Sequence, residues 1–240
     1  MGLCESIYSE TGKSSVVIFD EFQNLEKIGF KNFYRDWSKL LISNKNTMYI
    51  VLSSMKFKAK EILSKNLSLL FGNFEVVTIE PFDVNESCAY LNERLQGFSL
   101  PAAYRDFIVH FTGGCPMYLD IIADSLCRHK GIELSQALEE ILFDASGVLN
   151  QRFSNYIKRF SQDNVAGEYI QILYLISSGR NKLKDIAHLL KKNKSKVLLR
   201  VNYLLEIDTL SRCGDFLKIN DRIFGFWIKF VYQEKLHSLT

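Results

Sequence analysis

Four consecutive apolar residues, Val16, Val17, Ile18 and Phe19, run directly into two adjacent carboxylates, Asp20 and Glu21. A short apolar run of this kind reads as a buried parallel strand, and similar runs rich in Val, Ile and Tyr recur at residues 48–53 and 75–79. Between the runs lie segments with apolar residues at helical spacing. Residues 31–43 carry Phe33, Trp37, Leu40 and Leu41, and residues 57–71 carry Ile62, Leu63, Leu67 and Leu70. Strands alternating with helices predict an α/β layer with a parallel sheet. Asp20 and Glu21 then fall at the carboxyl end of a buried strand, the edge at which open α/β sheets bind ligands.

After Pro81 the pattern becomes helical. Asp83 and Glu86, three apart, have the form of a capping box and open a helix that stops near Gly97. Pro101 opens the next, Gly113 closes it, and Pro116 suits the first turn of another, where a missing amide costs no intrahelical bond. Helices are expected to continue over 134–143 and 148–160. From Glu168 onward three more are expected, at 169–177, 183–190 and 195–207, followed by a hairpin turning at Gly214 and Asp215. Three helices and a two-stranded wing make a winged helix-turn-helix. The expected organisation is a partial α/β core over 1–80, a helical lid over 81–166 and a winged helix over 167–240.

The composition agrees with a folded chain and excludes several classes. Of 240 residues, 47% are apolar and only 24% charged, which excludes disorder. No apolar run reaches the length of a membrane span, and no basic segment followed by a long apolar stretch opens the chain, so the expected location is cytoplasmic. The five cysteines (Cys4, Cys88, Cys115, Cys127 and Cys213) are scattered and odd in number, which suggests neither a disulfide framework nor a zinc site. Basicity is concentrated at one end: residues 167–240 hold 13 Lys and Arg against 7 Asp and Glu. Such a balance fits either a nucleic-acid partner or a solvated surface.

Residues 16–25, VVIFDEFQNL, resemble the Walker B segment of the archaeal-type ATPases, a family within the AAA+/STAND class of P-loop NTPases. Further segments match in order. Residues 48–54, MYIVLSS, resemble the strand ending in the first sensor, and residues 80–83, EPFD, the entry to the helical lid. Residues 111–119, FTGGCPMYL, resemble the lid's Gly-Gly-x-Pro-x-Tyr-Leu segment, which lies near the nucleotide base in related proteins. Residues 221–231, DRIFGFWIKFV, resemble the closing segment after the winged helix. The resemblance implies ATP and Mg2+ as cofactors. Asp20 would hold the metal, Glu21 would polarise the attacking water, and Ser53 would reach the γ-phosphate or that water. Gly113, Gly114 and Pro116 would border the nucleotide. Each of these has a plainer reading beside it: the glycines and Pro116 can simply end one helix and start another, and Ser53 and Ser54 can terminate a strand. Phe226, Trp227 and Phe230, at helical spacing, read as core packing.

The phosphate-binding loop, Gly-x-x-x-x-Gly-Lys-Ser/Thr between a strand and a helix, is not found. Gly12, Lys13 and Ser14 imitate its end, but the position five before Gly12 is Ile7, and a strand rather than a helix follows. The chain therefore reads as an ATPase core that starts partway through its fold, with hydrolysis lost or dependent on a segment supplied by another chain. In the family's sheet the phosphate-loop strand lies between the runs at 48–53 and 75–79. Without it, either those strands close up or another chain fills the gap.

Lys191, Lys192, Lys194 and Lys196 lie just before and at the start of the winged helix's third helix, and Arg200 follows one turn on. In such folds this is the helix that approaches DNA, with lysines neutralising phosphates. DNA is thus one candidate partner. A solvated lysine turn on a regulatory lid is the alternative.

Overall fold

The computed structural model describes residues 2–29, 32–128, 133–162 and 166–237. Its residues group into two compact units, Met1–Val77 with Glu206–Asp208, and Thr78–Leu205 with Thr209–Thr240.

In the first unit, β1 (Ser15–Phe19) and β2 (Thr47–Val51) pair in parallel, Ser15 opposite Thr47 and Phe19 opposite Val51. Helix α1 (Leu3–Thr11) precedes β1 and ends at Gly12, whose φ of 66° gives the left-handed cap. Gly12 and Lys13 thus lie between a helix and a strand, the reverse of a phosphate loop. The crossover to β2 runs through a 3-10 turn, Phe22–Ile28, and α2 (Phe33–Ser43), as parallel strands require. α3 (Lys56–Glu61) then widens into a π turn at Ile62–Asn66, which brings both Ile62 and Leu67 into the core. That core is Phe22, Tyr34, Trp37, Ile62 and Leu67, with Phe19 and Val51 of the sheet packed on it. The Phe19 ring meets Trp37 edge-on, centroids 5.2 Å apart.

Two features depart from the sequence reading. The sheet has two strands, not three: residues 75–79 pair with nothing among the described residues, and Val76, Val77 and Ile79 are 71–85% exposed. The strands are also covered on one face only. Val16, Ile18 and Met48, on the other face, are 60–63% exposed. A Val, Ile or Met gains about 1.5–3 kcal/mol on full burial, so each leaves roughly 1–2 kcal/mol unrealised. Alternating burial is the pattern of a sheet with one open face, whereas a parallel sheet is ordinarily covered on both.

The second unit is helical. α4 (Val84–Arg94) starts with the expected capping box: the Glu86 amide donates to Asp83 at 2.8 Å and the Asp83 amide to Glu86 at 2.9 Å. α5 (Ala102–Thr112), α6 (Pro116–Arg128), α7 (Leu134–Leu142) and α8 (Val148–Lys158) follow, burying Leu91, Ile108, Leu119, Ile122 and Leu149. α9 (Ala166–Ser177), α10 (Leu183–Leu189) and α11 (Lys194–Glu206) lead to the antiparallel hairpin β3 (Leu210–Cys213) and β4 (Phe216–Ile219). α12 (Arg222–His237) closes the chain, packing on α5, α8 and α9. Asp221 accepts the Phe224 amide at 3.0 Å and so caps α12.

The chain is therefore mostly helical, with a small parallel sheet in place of the fuller α/β layer expected. No described helix is long and apolar enough to cross a membrane.

Candidate functional site

Strand β1 delivers Asp20 and Glu21 to the carboxyl end of the sheet. Asp20 is exposed, and its Oδ1 accepts the Glu21 amide at 2.8 Å. Glu21 takes a left-handed backbone, φ 47°, which costs an L-residue with a Cβ about 1–2 kcal/mol. Such strain persists where neighbours over-determine the conformation. Here those neighbours are Gln23, whose Nε2 donates to Glu21 Oε2, and Ser54, whose hydroxyl donates to the same oxygen at 3.1 Å. The bond from Gln23, then that from Ser54, holds the Glu21 carboxyl below the ordinary carboxylate range, against the opposing effect of burial. Glu21 is thereby kept ionised and held in place at the carboxyl end of β1.

Sequence reasoning points to Ser53 and passes over Gln23 and Ser54. The structure instead uses the Ser53 hydroxyl to close the turn after β2, where it accepts the Met55 amide at 3.0 Å and donates to the Met55 carbonyl at 3.3 Å. The chain direction at the strand end presents Ser54, not Ser53, to Glu21. Gln23 is buried, and its Oε1 has no partner among the described residues. An orphaned acceptor beside an aimed carboxylate suits a water held between them. Asp20, which keeps lone pairs open toward solvent, fits a divalent cation only as one ligand among several; no group of three or more His, Cys, Asp or Glu able to hold a metal occurs among the described residues. Mg2+ keeps waters and substrate oxygens in its shell, so a single protein carboxylate is compatible with it.

Gly113, Gly114 and Pro116 belong to the second unit, and packing accounts for all of them. Gly113 caps α5 at φ 62°. Gly114, φ 75°, lies against Phe82: a Cβ there would sit 1.9 Å from the Phe82 carbonyl oxygen, and the Phe82 amide donates to the Gly114 carbonyl at 2.9 Å. Pro116 starts α6. Just beyond, the Tyr118 hydroxyl donates to Asp221, and burial first, with Asp221 second, pushes the phenol far above its usual range.

The lysine cluster divides. Lys192 and Arg200 both pair with Glu168, Arg200 at 3.3 Å, and these contacts, that of Lys192 foremost, depress the Glu168 carboxyl. Lys191, Lys194 and Lys196 are exposed and, among the described residues, pair with no carboxylate. Asn193 caps α11 through the Ser195 amide at 2.9 Å.

Phe226, Trp227 and Phe230 also divide. Trp227 is core, donating to Asn150 at 3.0 Å and packed on Phe153 at 5.6 Å. Phe226 and Phe230 are partly exposed, which corrects the reading of all three as core.

No protein-family model matches the sequence, and no curated protein matches it. Among solved structures it is similar to the Walker-type ATPase PABY2304 of Pyrococcus abyssi, at a TM-score of 0.73 and 18% identity, over 96% of this chain and 69% of that one. The likeness shows that the two chains share a fold over that span, and about a third of the Pyrococcus chain lies outside it.

Proposed function

We propose that the chain is the metal- and water-handling half of a nucleotide site on a Walker-type ATPase scaffold, completed by a strand–loop–helix segment that carries the phosphate loop. The observation that carries this reading is the state of the sheet: it ends in Asp20 and in an aimed Glu21, yet lacks cover on the face of Val16, Ile18 and Met48 and lacks a third strand among the described residues. A strand–loop–helix unit supplies both missing parts, its strand pairing an open edge and its helix covering an apolar face. The same unit supplies amides for the triphosphate.

In this reading residues 16–21 are the Walker B segment. Asp20 is the carboxylate available to Mg2+, which when bound neutralises developing phosphate charge. Glu21, held by Gln23 and Ser54, accepts a proton from the attacking water through its carboxylate. The test is ATP turnover. The chain alone is expected to show none, and addition of a segment carrying Gly-x-x-x-x-Gly-Lys-Ser/Thr between strand and helix is expected to give Mg2+-dependent turnover that Glu21→Gln abolishes. Robust turnover by the chain alone, lost in Glu21→Gln, contradicts the reading.

Exposed Lys191, Lys194 and Lys196 favour a second reading, in which residues 167–240 act as a winged helix that touches duplex DNA through phosphates alone. A salt-dependent shift of nonspecific duplex, lost on replacing the three lysines with alanine, supports it. Absence of any shift at low salt removes it.

A further inference from the structure

A groove of about 640 Å³ runs between the end of α9, the β3–β4 hairpin and α12. It plays no part in the nucleotide reading. Phe216, Phe226 and Phe230, each 36–47% exposed, supply aromatic surface along it. Exposed aromatic surface gathered in one concavity marks an interaction site more often than singly scattered apolar residues do.

The charges around these rings are mostly positive. Lys218, Arg222 and Lys229 line the groove, and the Lys182 ammonium stands over the Phe216 ring at 4.8 Å. Among the described residues none of these four lies within ion-pair distance of a carboxylate. Asp221 is the acidic residue on the lining, and its oxygens are engaged by the Tyr118 hydroxyl and the Phe224 amide. Arg222 is held in place, its Nη1 donating to the His110 carbonyl at 3.2 Å. The neutral donors Tyr118 and Phe224 leave the Asp221 charge in place, so the lining sets three cations, Lys218, Arg222 and Lys229, against one carboxylate beside apolar rings.

We propose that this groove binds an acidic peptide segment bearing bulky apolar side chains. Carboxylates on such a segment complement Lys218, Arg222 and Lys229, while its apolar residues cover Phe216, Phe226 and Phe230. Single-stranded nucleic acid fits less well, because base stacking needs free ring faces. Lys182 stands over Phe216, Lys229 lies 5.7 Å from the Phe230 centroid, and Phe226 already packs on Phe111 at 5.2 Å and on Phe230 at 4.6 Å. The ring faces are thus partly occupied by neighbours already.

The probe is a fluorescein-labelled peptide alternating Asp and Glu with Phe and Leu, titrated with the full chain at low salt and read by anisotropy. Saturable binding is expected, weakened about tenfold or more by the double charge reversal Lys218→Glu and Lys229→Glu. Phe230→Ser is expected to weaken it as well, and Lys191→Ala with Lys194→Ala and Lys196→Ala to leave it unchanged. Circular dichroism melts check that the variants, all at exposed positions, remain folded. The proposal is overturned if the peptide does not saturate, if an acidic peptide of Ser and Gly binds equally, or if labelled oligo-dT binds more tightly and loses its affinity in the same double variant.

Discussion

Ile18→Thr measures directly whether the second face of the sheet is open. Ile18 is 60% exposed, so only about two-fifths of its side chain is withdrawn from water. Taking about 1.5–3 kcal/mol for complete burial, the apolar contribution at stake is roughly 1 kcal/mol. Threonine keeps the β-branch and strand preference, which leaves burial as the principal change. At Val51, opposite-facing and packed against the Trp37 core, the same kind of change, Val51→Thr, places a hydroxyl against apolar neighbours and is expected to cost about 2 kcal/mol. The assay is urea denaturation of the full chain, with amide exchange over residues 15–51 isolating the first unit from the second. A loss near 1 kcal/mol for Ile18→Thr, smaller than that for Val51→Thr, supports the open face. A loss above about 2 kcal/mol refutes it, since only an enclosed isoleucine carries that much.

Ser54→Ala removes one of the bonds that depress Glu21, so the Glu21 carboxyl should titrate closer to the ordinary value when followed by side-chain 13C NMR, while Ser53→Ala leaves it unmoved. Because the folded carboxyl is depressed, its contribution to stability is present above the unfolded value of about 4.3 and is lost as pH falls through the folded one. Gly114→Ala combines a φ of 75° with a 1.9 Å clash against Phe82 and should lower stability by about 2–3 kcal/mol in thermal melts; Gly179→Ala, with φ 85° and open space, should cost only about 1 kcal/mol. Glu168→Gln removes the shared partner of Lys192 and Arg200, which are partly exposed, and should cost about 1 kcal/mol at neutral pH, with the difference from the parent vanishing as pH falls through the depressed Glu168 carboxyl.

What could be read in advance was local. The Asp83 and Glu86 capping box, the turn at Gly214 and the break at Gly113 depend on residues a few positions apart, and each forms as its spacing implies. What could not be read depends on distant partners. Residues 75–79 have strand composition, but β-preference becomes a strand only when a neighbour offers its edge, and none among the described residues does. Helical spacing places Phe226 and Phe230 on one face without saying whether that face is covered. Ser53 and Ser54 are indistinguishable as residues, and the backbone turn after β2 decides which hydroxyl meets Glu21. Glu168 lies 24 residues from Lys192 and 32 from Arg200, a pairing that only the packed helices create.

Nucleotide binding decides whether this chain, proposed to handle metal and water, holds a triphosphate by itself. Ligands that bind only the folded state raise its melting temperature, so the chain is melted with and without millimolar Mg2+-ATP, beside Asp20→Asn. No saturable shift is expected for either protein. A saturable rise in the parent that Asp20→Asn removes contradicts that expectation.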